Sequence, residues 1–260
     1  MAQGEIEQVS TTPILTVTDG RAVVRLNRPR QHNRIEPADL ARLRAICDEV
    51  DADPSVRVLV ISATGKSFSS GFHIGALAKD DNYDPTGFER TVDRIEALRV
   101  PTIAALNGGV YGGSTDLGLA CDFRIGVPQT RMFMPAARLG IVYYKSGLKR
   151  YVSRLGLGAA KRLFLTAEPL SSEQLLSIGY LDEVVPEGEL MARVDALADT
   201  IAANAPLAVA ATKRALNEIA ANSLDVAALE AARASCLKSE DHKEGLSAWA
   251  QKRRPSFKGR

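Results

Sequence analysis

Residues 106–122 read LNGGVYGGSTDLGLACD and set two adjacent glycines between an apolar run and a helical pattern. The preceding run PTIAAL, residues 101–106, predicts a buried strand. Gly112 and Gly113 carry no Cβ, so the backbone there can approach a bound group closely. Ser114 is expected to cap a helix that begins at Thr115, which would leave the amides around Gly113 facing outward at the positive end of the helix dipole. This order predicts a place to hold an oxyanion, although paired glycines after a strand more often form only a tight turn.

The composition is that of an ordinary soluble globular protein. The chain has 260 residues, 45% apolar and 25% charged, which suits one large domain or a domain with an appendage. The net charge of +2 is too small to indicate non-specific binding of nucleic acid. Cys47, Cys121 and Cys236 are widely separated and lack the spacing of zinc ligands, which indicates a reducing compartment and predicts a cytoplasmic protein. Residues 1–10 contain no uninterrupted apolar segment, and no run approaches the roughly 18 apolar residues of a membrane span, so neither a signal peptide nor a membrane partner is expected.

The predicted elements alternate between strand and helix before residue 189 and are all helical after it. Two β-rich runs, residues 14–18 and 22–26, flank Asp19-Gly20, a strong hairpin signal. The further predicted elements are a helix after Pro37, strands at 56–63 and 101–106, helices at 88–98 and from 115, strands at 123–126 and 131–134, a helix from 148 broken at Gly156, a helix capped by Ser171 or Ser172, a strand at 181–185, and helices at 190–201, 207–221, 226–237 and 244–250. This order predicts an α/β core followed by a helical appendage.

Two glycine-bearing loops each follow a predicted buried strand. The first reads SFSSGFHI at residues 67–74, and the second reads NGGVYGG at residues 107–113. Together they resemble the FxxGxD and NGxxxGGG loops of the crotonase superfamily, the enoyl-CoA hydratase/isomerase family. The matching positions are Phe68, Gly71, Asn107, Gly108, Gly112 and Gly113. The resemblance extends over nearly the whole chain, through NRP at 27–29, CD at 121–122, LG at 139–140, EGLSA at 244–248 and KR at 252–253 to Phe257.

The resemblance implies an α/β fold of the crotonase-like (ClpP/crotonase) type. Its β-β-α spiral core, with the acyl-CoA site, would span residues 1–203, and a helical oligomerisation region would span residues 204–260. The family forms homo-trimers that often pair into homo-hexamers. The implied substrate is an acyl-CoA, with coenzyme A as part of the substrate rather than a prosthetic group. No metal is implied.

The implied oxyanion hole consists of the backbone amides of Phe72 and Gly113, which would both donate to a thioester carbonyl. Asp116 stands where hydratases of the family carry one catalytic glutamate, and Ala136 stands where they carry the second. The second catalytic acid is therefore missing, which puts the usual two-acid addition of water in doubt. Asp116 is expected to move a proton. The alternative is that Asp116 has no catalytic role and is simply an acidic residue in the first turn of a helix, where the helix dipole favours a negative charge.

Other polar side chains near these positions are candidates for compensation. Tyr143 stands at a position where a decarboxylating branch of the family, which this chain resembles there, also has tyrosine. Tyr144 stands where other branches of the family have a catalytic aspartate. A tyrosine hydroxyl can donate a proton or a hydrogen bond but is a poor base at a pKa near 10. Both tyrosines could instead fill an acyl pocket. His73 replaces an aspartate of the family and is either an acid or base, or an imidazole that braces the loop.

Four basic residues are candidate contacts for coenzyme A. Arg28, Arg30 and Arg34 lie on the turn that the resemblance places under the adenine and phosphates, and guanidinium groups match phosphate oxygens. Lys252 matches a lysine that reaches the coenzyme in hydratases, although it also belongs to a basic tail. Gly75 departs from the family, whose hydratases often have lysine there.

Three functions are compatible with these residues. The first is an enoyl-CoA hydratase or isomerase that acts through an oxyanion-stabilised enolate. The second is an acyl-CoA decarboxylase or thioester hydrolase that uses Tyr143 and His73. The third, motivated by Ala136, is a non-catalytic acyl-CoA-binding protein. A dinucleotide cofactor is not expected, because the glycines at 156 and 158 lack a third glycine and a preceding strand.

Overall fold

The computed structural model describes residues 11–73, Gly75 and residues 84–260. The expectation for residues 1–10 and the position of Ile74 in the first loop lie outside the described residues. The strands are β1 (Ile14–Thr18), β2 (Arg21–Leu26), β3 (Val58–Ala63), β4 (Ser67–Ser69), β5 (Thr102–Leu106), β6 (Gly109–Tyr111), β7 (Phe123–Gly126), β8 (Arg131–Phe133), β9 (Leu170–Ser171) and β10 (Glu183–Val184). The helices are α1 (Pro37–Ala52), α2 (Gly87–Glu96), α3 (Gly113–Ala120), α4 (Lys145–Lys161), α5 (Ser172–Ser177), α6 (Leu190–Ala202), α7 (Pro206–Ala220), α8 (Val226–Lys238) and α9 (Glu240–Ala250).

A six-stranded sheet in the order β1-β2-β3-β5-β7-β10 forms the centre of the fold. The hairpin β1-β2 is antiparallel, and the turn residues Asp19 and Gly20 both have positive φ, as its tight connection requires. The remaining pairs are parallel. Alternate residues of β3 serve two cores: Leu59 and Ile61 join the larger cluster, while Val58 joins the one covered by α6. The predicted α/β class is confirmed.

A second sheet, in the order β4-β6-β8-β9, was not predicted. Its strands contain two or three residues, and β4 and β6 lie in the segments that the sequence presented as glycine-rich and serine-rich loops. Such strands are too short to show an alternating pattern. The pairing of β4 with β6 is parallel and sets Ser67 opposite Gly109. It therefore brings the two glycine loops side by side.

The predicted helix after Pro37 is confirmed, and its apolar face is buried. Pro37 occupies the first position of α1, and the side chains of Glu36 and Asp39 form a capping box. The side chains that the periodicity placed on one face are each at most 3% exposed: Leu40, Leu43, Ile46, Cys47 and Val50. The break predicted in α4 is also present, because Gly156 has φ 81 inside it.

The predicted role of Ser114 as a helix cap is wrong. Helix α3 begins at Gly113, two residues earlier than expected, and its N-cap is Gly112 with φ 54 and ψ −133. Glycine adopts this conformation without the steric cost of a Cβ. Ser114 lies inside the helix, where its hydroxyl shares a hydrogen bond with that of Ser69 in β4. The contact ties the start of α3 to the first glycine loop.

Helix α7 joins the C-terminal helices to the sheet through one buried lysine. Lys213 Nζ lies 2.8 Å from Asp122 Oδ2 and donates to the carbonyl of Val100 at 2.8 Å.

Among the described residues, no single helix is both long and apolar enough to cross a membrane. Residues Glu187–Ala202 and Pro206–Ala220 meet that test only as a pair bent by 106°.

Candidate active site

The two glycine loops follow the carboxyl ends of β3 and β5 and touch each other. Gly71 has φ +95, and a Cβ at this position would lie 2.7 Å from the carbonyl oxygen of Tyr111 and 3.5 Å from Cα of Gly112. Only glycine allows so close an approach with this backbone conformation. The contact places Phe72 and Gly113 each one residue beyond the point where the loops meet.

The backbone bonding around Phe72 fixes the direction of its amide. Ile35 N donates to Gly71 O and His73 N donates to Ile35 O, both at 2.9 Å, so Ile35 and Phe72 form a parallel bridge. In such a bridge the amide of the central residue points away from its partner strand. The amide of Gly113 opens α3 and has no hydrogen-bond acceptor among the residues that the structure describes. It therefore lies at the positive end of that helix.

Asp116 lies one helical turn after Gly113 and is 0% exposed. Its Oδ2 accepts hydrogen bonds from Arg150 Nη1 at 2.8 Å and from the Tyr144 hydroxyl at 2.5 Å. Its Oδ1 is buried and has no partner among the described residues. Burial raises the pKa of the Asp116 carboxyl, and the opposing effect of Arg150 and Tyr144 is smaller. The group is therefore a stronger proton acceptor than an exposed aspartate.

Arg150 is a functional candidate that the sequence analysis missed. Its guanidinium is 1% exposed and contacts three carboxylates: Asp93 at 2.7 Å, Glu96 at 3.0 Å and Asp116 at 2.8 Å. A buried charge of this kind is tolerated only when it is paired. The sequence signal that could have identified Arg150 is the helical spacing of polar residues on two helices. Three residues of α2 each contact one residue of α4: Glu89 contacts Ser146, Asp93 contacts Arg150, and Glu96 contacts Arg154. We call these six residues the α2–α4 ladder.

The structure places Tyr144, rather than Tyr143, on Asp116. The two rings stack with centroids 4.2 Å apart, and the Tyr143 hydroxyl donates to the Tyr144 hydroxyl at 3.2 Å. Burial raises the pKa of both tyrosines well above 10, so both remain protonated hydroxyls that donate hydrogen bonds. The two hydroxyls and the carboxylate form a single chain.

Aromatic rings pack beside Gly113. A Cβ on Gly113 would lie 2.6 Å from Cζ of Phe88. The Phe88 ring centroid is 5.7 Å from that of Phe72 and 6.3 Å from that of Tyr144. Ala136 is 6% exposed and supplies no polar group. The hydrogen-bond donors to Asp116 among the described residues are Arg150 and Tyr144, and the side chain at position 136 adds none.

His73 is bound to the start of α1. Its Nδ1 lies 2.8 Å from Oε2 of Glu36. The other carboxylate oxygen of Glu36 accepts a hydrogen bond from Arg34 Nε at 2.8 Å. Burial acts to raise the pKa of the Glu36 carboxyl, but the hydrogen bonds from His73 and Arg34 lower it overall. The arrangement corresponds to the loop-bracing alternative for His73.

Two of the basic residues expected to contact coenzyme A, Arg28 and Arg34, are paired with carboxylates at the start of α1. Arg28 makes a two-pronged contact with Asp39, with nitrogen–oxygen distances of 2.9 and 3.0 Å. Arg34 pairs with Glu36, and Arg30 is exposed. Lys252 is exposed on the C-terminal segment, in which Phe257 O accepts from Arg57 just before β3. The first glycine loop follows the opposite, carboxyl end of β3.

The site has the parts for chemistry on a carbonyl compound. Two amides on adjacent loops could stabilise negative charge on one oxygen, and a buried carboxylate nearby could move a proton. Within the described part of the chain, no cluster of three or more His, Cys, Asp or Glu residues could hold a metal ion.

Comparison with known proteins gives one consistent result. The family model described as enoyl-CoA hydratase/isomerase matches residues 16–260. The chain is 32% identical over 247 residues to a short-chain-enoyl-CoA hydratase of Clostridium acetobutylicum, covering 92% of this chain and 95% of that protein. It is 33% identical over 251 residues to a crotonyl-CoA hydratase of Syntrophomonas wolfei, covering 94% and 96%. The crystal structure of an enoyl-CoA hydratase from Bacillus anthracis superposes with a TM-score of 0.89 at 28% identity, covering 96% of this chain and all of that one.

Proposed function

Because the chain belongs to the enoyl-CoA hydratase/isomerase family, we propose that its site binds an acyl-CoA thioester and hydrates or isomerises the acyl group. The observation that carries this proposal is the contact between Gly71 and the Tyr111–Gly112 backbone, the residues that directly precede Phe72 and Gly113. Asp116 lies one turn further along α3. The fold, the pair of loops and the buried acid support the same chemistry.

In this proposal the amides of Phe72 and Gly113 donate to the thioester carbonyl oxygen. Hydration and isomerisation both pass through an enolate, in which this oxygen carries the negative charge. A fixed donor at such an oxygen contributes about 3 kcal/mol to lowering the barrier. Bound crotonyl-CoA labelled with ¹³C at the carbonyl should therefore show a carbonyl stretch at lower frequency than in water, and an unshifted band would contradict the assignment.

Asp116 is proposed as the only carboxylate that moves a proton, since residue 136 is alanine. In isomerisation it would take a proton from one carbon beside the enolate and return it to the other, which balances without a second acid. In hydration it would take a proton from water as the oxygen adds to the β carbon, and then deliver a proton to the α carbon. The raised pKa of Asp116 suits both exchanges.

Parallel assays of crotonyl-CoA hydration and of the conversion of 3-enoyl-CoA to 2-enoyl-CoA test this function. We expect Asp116→Asn to lose at least about 10²-fold in kcat for whichever reaction the wild type catalyses. Glu230→Gln is the matched control, because Glu230 is an exposed acid paired with Arg233 on α8. Unchanged turnover in Asp116→Asn would remove Asp116 from the mechanism.

A non-catalytic acyl-CoA-binding protein is the second candidate, and one observation favours it. Asp116 is fully buried, and two donors already occupy its Oδ2. Tight binding of acyl-CoA by calorimetry without turnover over a broad thioester panel would support this function. A malonyl-type thioester in the same panel tests decarboxylation or hydrolysis by Tyr143 and His73.

We also propose that the chain assembles into a homo-trimer or homo-hexamer through residues 204–260. Large apolar side chains are exposed on the C-terminal helices, among them Leu216, Ile219, Leu237, Leu246 and Trp249, the last being 85% exposed. The mass from light scattering after size exclusion tests this, and a monomeric mass would contradict it. The free thiols of Cys47, Cys121 and Cys236 support a cytoplasmic location.

A further inference from the structure

We infer that Tyr144 is a positioning residue: with Arg150 it holds Oδ2 of Asp116, so that Oδ1 is the oxygen that exchanges the proton with the substrate. The inference rests on the proposed role of Asp116. The sequence left both Tyr143 and Tyr144 as candidate donors or as side chains that fill an acyl pocket, and the structure distinguishes the two, because only the Tyr144 hydroxyl donates to Asp116.

The two carboxylate oxygens of Asp116 have different surroundings. Oδ2 accepts from both Arg150 and Tyr144, whereas Oδ1 is buried and has no donor among the described residues. Buried polar atoms in proteins are nearly always hydrogen-bonded, and an exception calls for a specific reason. A proton in transit from the substrate or from an attacking water supplies that reason.

The Tyr144 hydroxyl is held in place by its own surroundings. Tyr144 is the N-cap of α4 and has an extended backbone, with φ −72 and ψ 158. Its ring stacks on Tyr143 and packs near Phe88. A Cβ on Gly147, in the first turn of α4, would lie 2.8 Å from Oδ2 of Asp116, so this turn packs directly against the carboxylate. The ring therefore has little room to turn the hydroxyl away.

Tyr144 acts through Asp116 and does not itself transfer the proton. Its hydroxyl donates to the carboxylate and keeps its own proton, because burial and the neighbouring negative charge both oppose its ionisation. Tyr143 acts at one remove, through the Tyr144 hydroxyl. The titratable and charged groups that face Asp116, directly or through Arg150, are Asp93, Glu96, Tyr143, Tyr144, Arg150, Tyr151 and Tyr180.

Tyr144→Phe removes the hydroxyl and keeps the stacked ring. We expect the acidic limb of kcat/KM to move about one pH unit upward, because the lost hydrogen bond favoured the ionised carboxylate. At the plateau, kcat should fall about tenfold, with KM changed less than about twofold. Ser146→Ala is the matched control, since it removes a hydroxyl from the first turn of α4 that donates to Glu89 rather than to Asp116, and its acidic limb should coincide with that of the wild type. A limb that stays in place in Tyr144→Phe would overturn the inference.

A double-mutant cycle separates positioning from direct contact with the substrate. In the Asp116→Asn background, Tyr144→Phe should cost less than about twofold further in kcat, because the group through which it acts is gone. The same tenfold loss in both backgrounds would show that Tyr144 does not act through Asp116.

A substrate-free measurement keeps the inference distinct from the proposed function. The infrared carboxyl band assigned by difference from Asp116→Asn can be titrated in the wild type and in Tyr144→Phe. We expect the midpoint to rise by about one pH unit in Tyr144→Phe. An unmoved midpoint contradicts the inference even in an active enzyme, whereas a moved midpoint in a protein without turnover contradicts only the function.

Discussion

Gly71→Ala should weaken both the fold and the proposed oxyanion hole. An L-residue at φ +95 costs about 1–2 kcal/mol. The new Cβ would also lie 2.7 Å from the carbonyl oxygen of Tyr111, closer than real contacts permit, so the two loops must separate by a few tenths of an ångström. Forced repacking adds about 1–2 kcal/mol, which gives a total loss of about 2–4 kcal/mol in the free energy of unfolding.

The same displacement should reduce turnover. Misplacing catalytic groups by 1 Å costs about 10²-fold, so a few tenths should cost on the order of threefold to tenfold in kcat. Urea unfolding monitored by circular dichroism gives the change in stability, and the enoyl-CoA assay gives the change in kcat. The wild type and Gly71→Ala are compared under identical conditions at one pH.

Gly179→Ala is the matched control for backbone strain. Gly179 has φ +75, and a Cβ there would meet no heavy atom within 4 Å. It should lose only about 1–2 kcal/mol and keep its kcat. If Gly71→Ala loses no more stability than Gly179→Ala and retains full turnover, the contact between the loops does not set the geometry of the site.

Other substitutions test the charges around the site. Arg150→Met should cost about 3–5 kcal/mol in the urea unfolding free energy, because it leaves the buried carboxylate of Asp116 without its cation, and a loss below 1 kcal/mol would contradict the role given to that guanidinium. Lys213→Met should cost about 3 kcal/mol by leaving Asp122 without its cation, and it should loosen α7 in hydrogen exchange before the central sheet opens. Glu36→Gln should lower stability at neutral pH; because the folded pKa of Glu36 lies below its ordinary 4.5, the difference from the wild type should be full above that value and disappear as the pH falls through the folded pKa. A difference independent of pH would contradict the pairing with His73.

The central sheet could be predicted from the sequence because its main strands are long enough to show a pattern. Strands β2, β3 and β5 contain five or six residues, most of them apolar, and α1 shows its helical period over four turns. The second sheet could not, since β4, β6 and β9 contain two or three residues. Their pairing depends on the arrangement of the larger sheet.

The candidate site was predictable only where the family resemblance supplied positions. Phe72, Gly113 and Asp116 came from the matched loops. The contacts that surround Asp116 join residues that are 28 and 34 positions away along the chain. No local periodicity reports such contacts, and Arg150 appeared in the sequence only as one charge within the helix predicted from residue 148.

The α2–α4 ladder has a consequence for how this protein can diverge from its relatives. The guanidinium that pairs with Asp116 also fastens two helices to each other. A substitution of Arg150 that changes the acidity of Asp116 would therefore also weaken the packing of α2 on α4. Adaptation to a new substrate should instead occur by substitution of Phe88 and Tyr143, because replacing these side chains leaves the ion pairs of Arg150 in place.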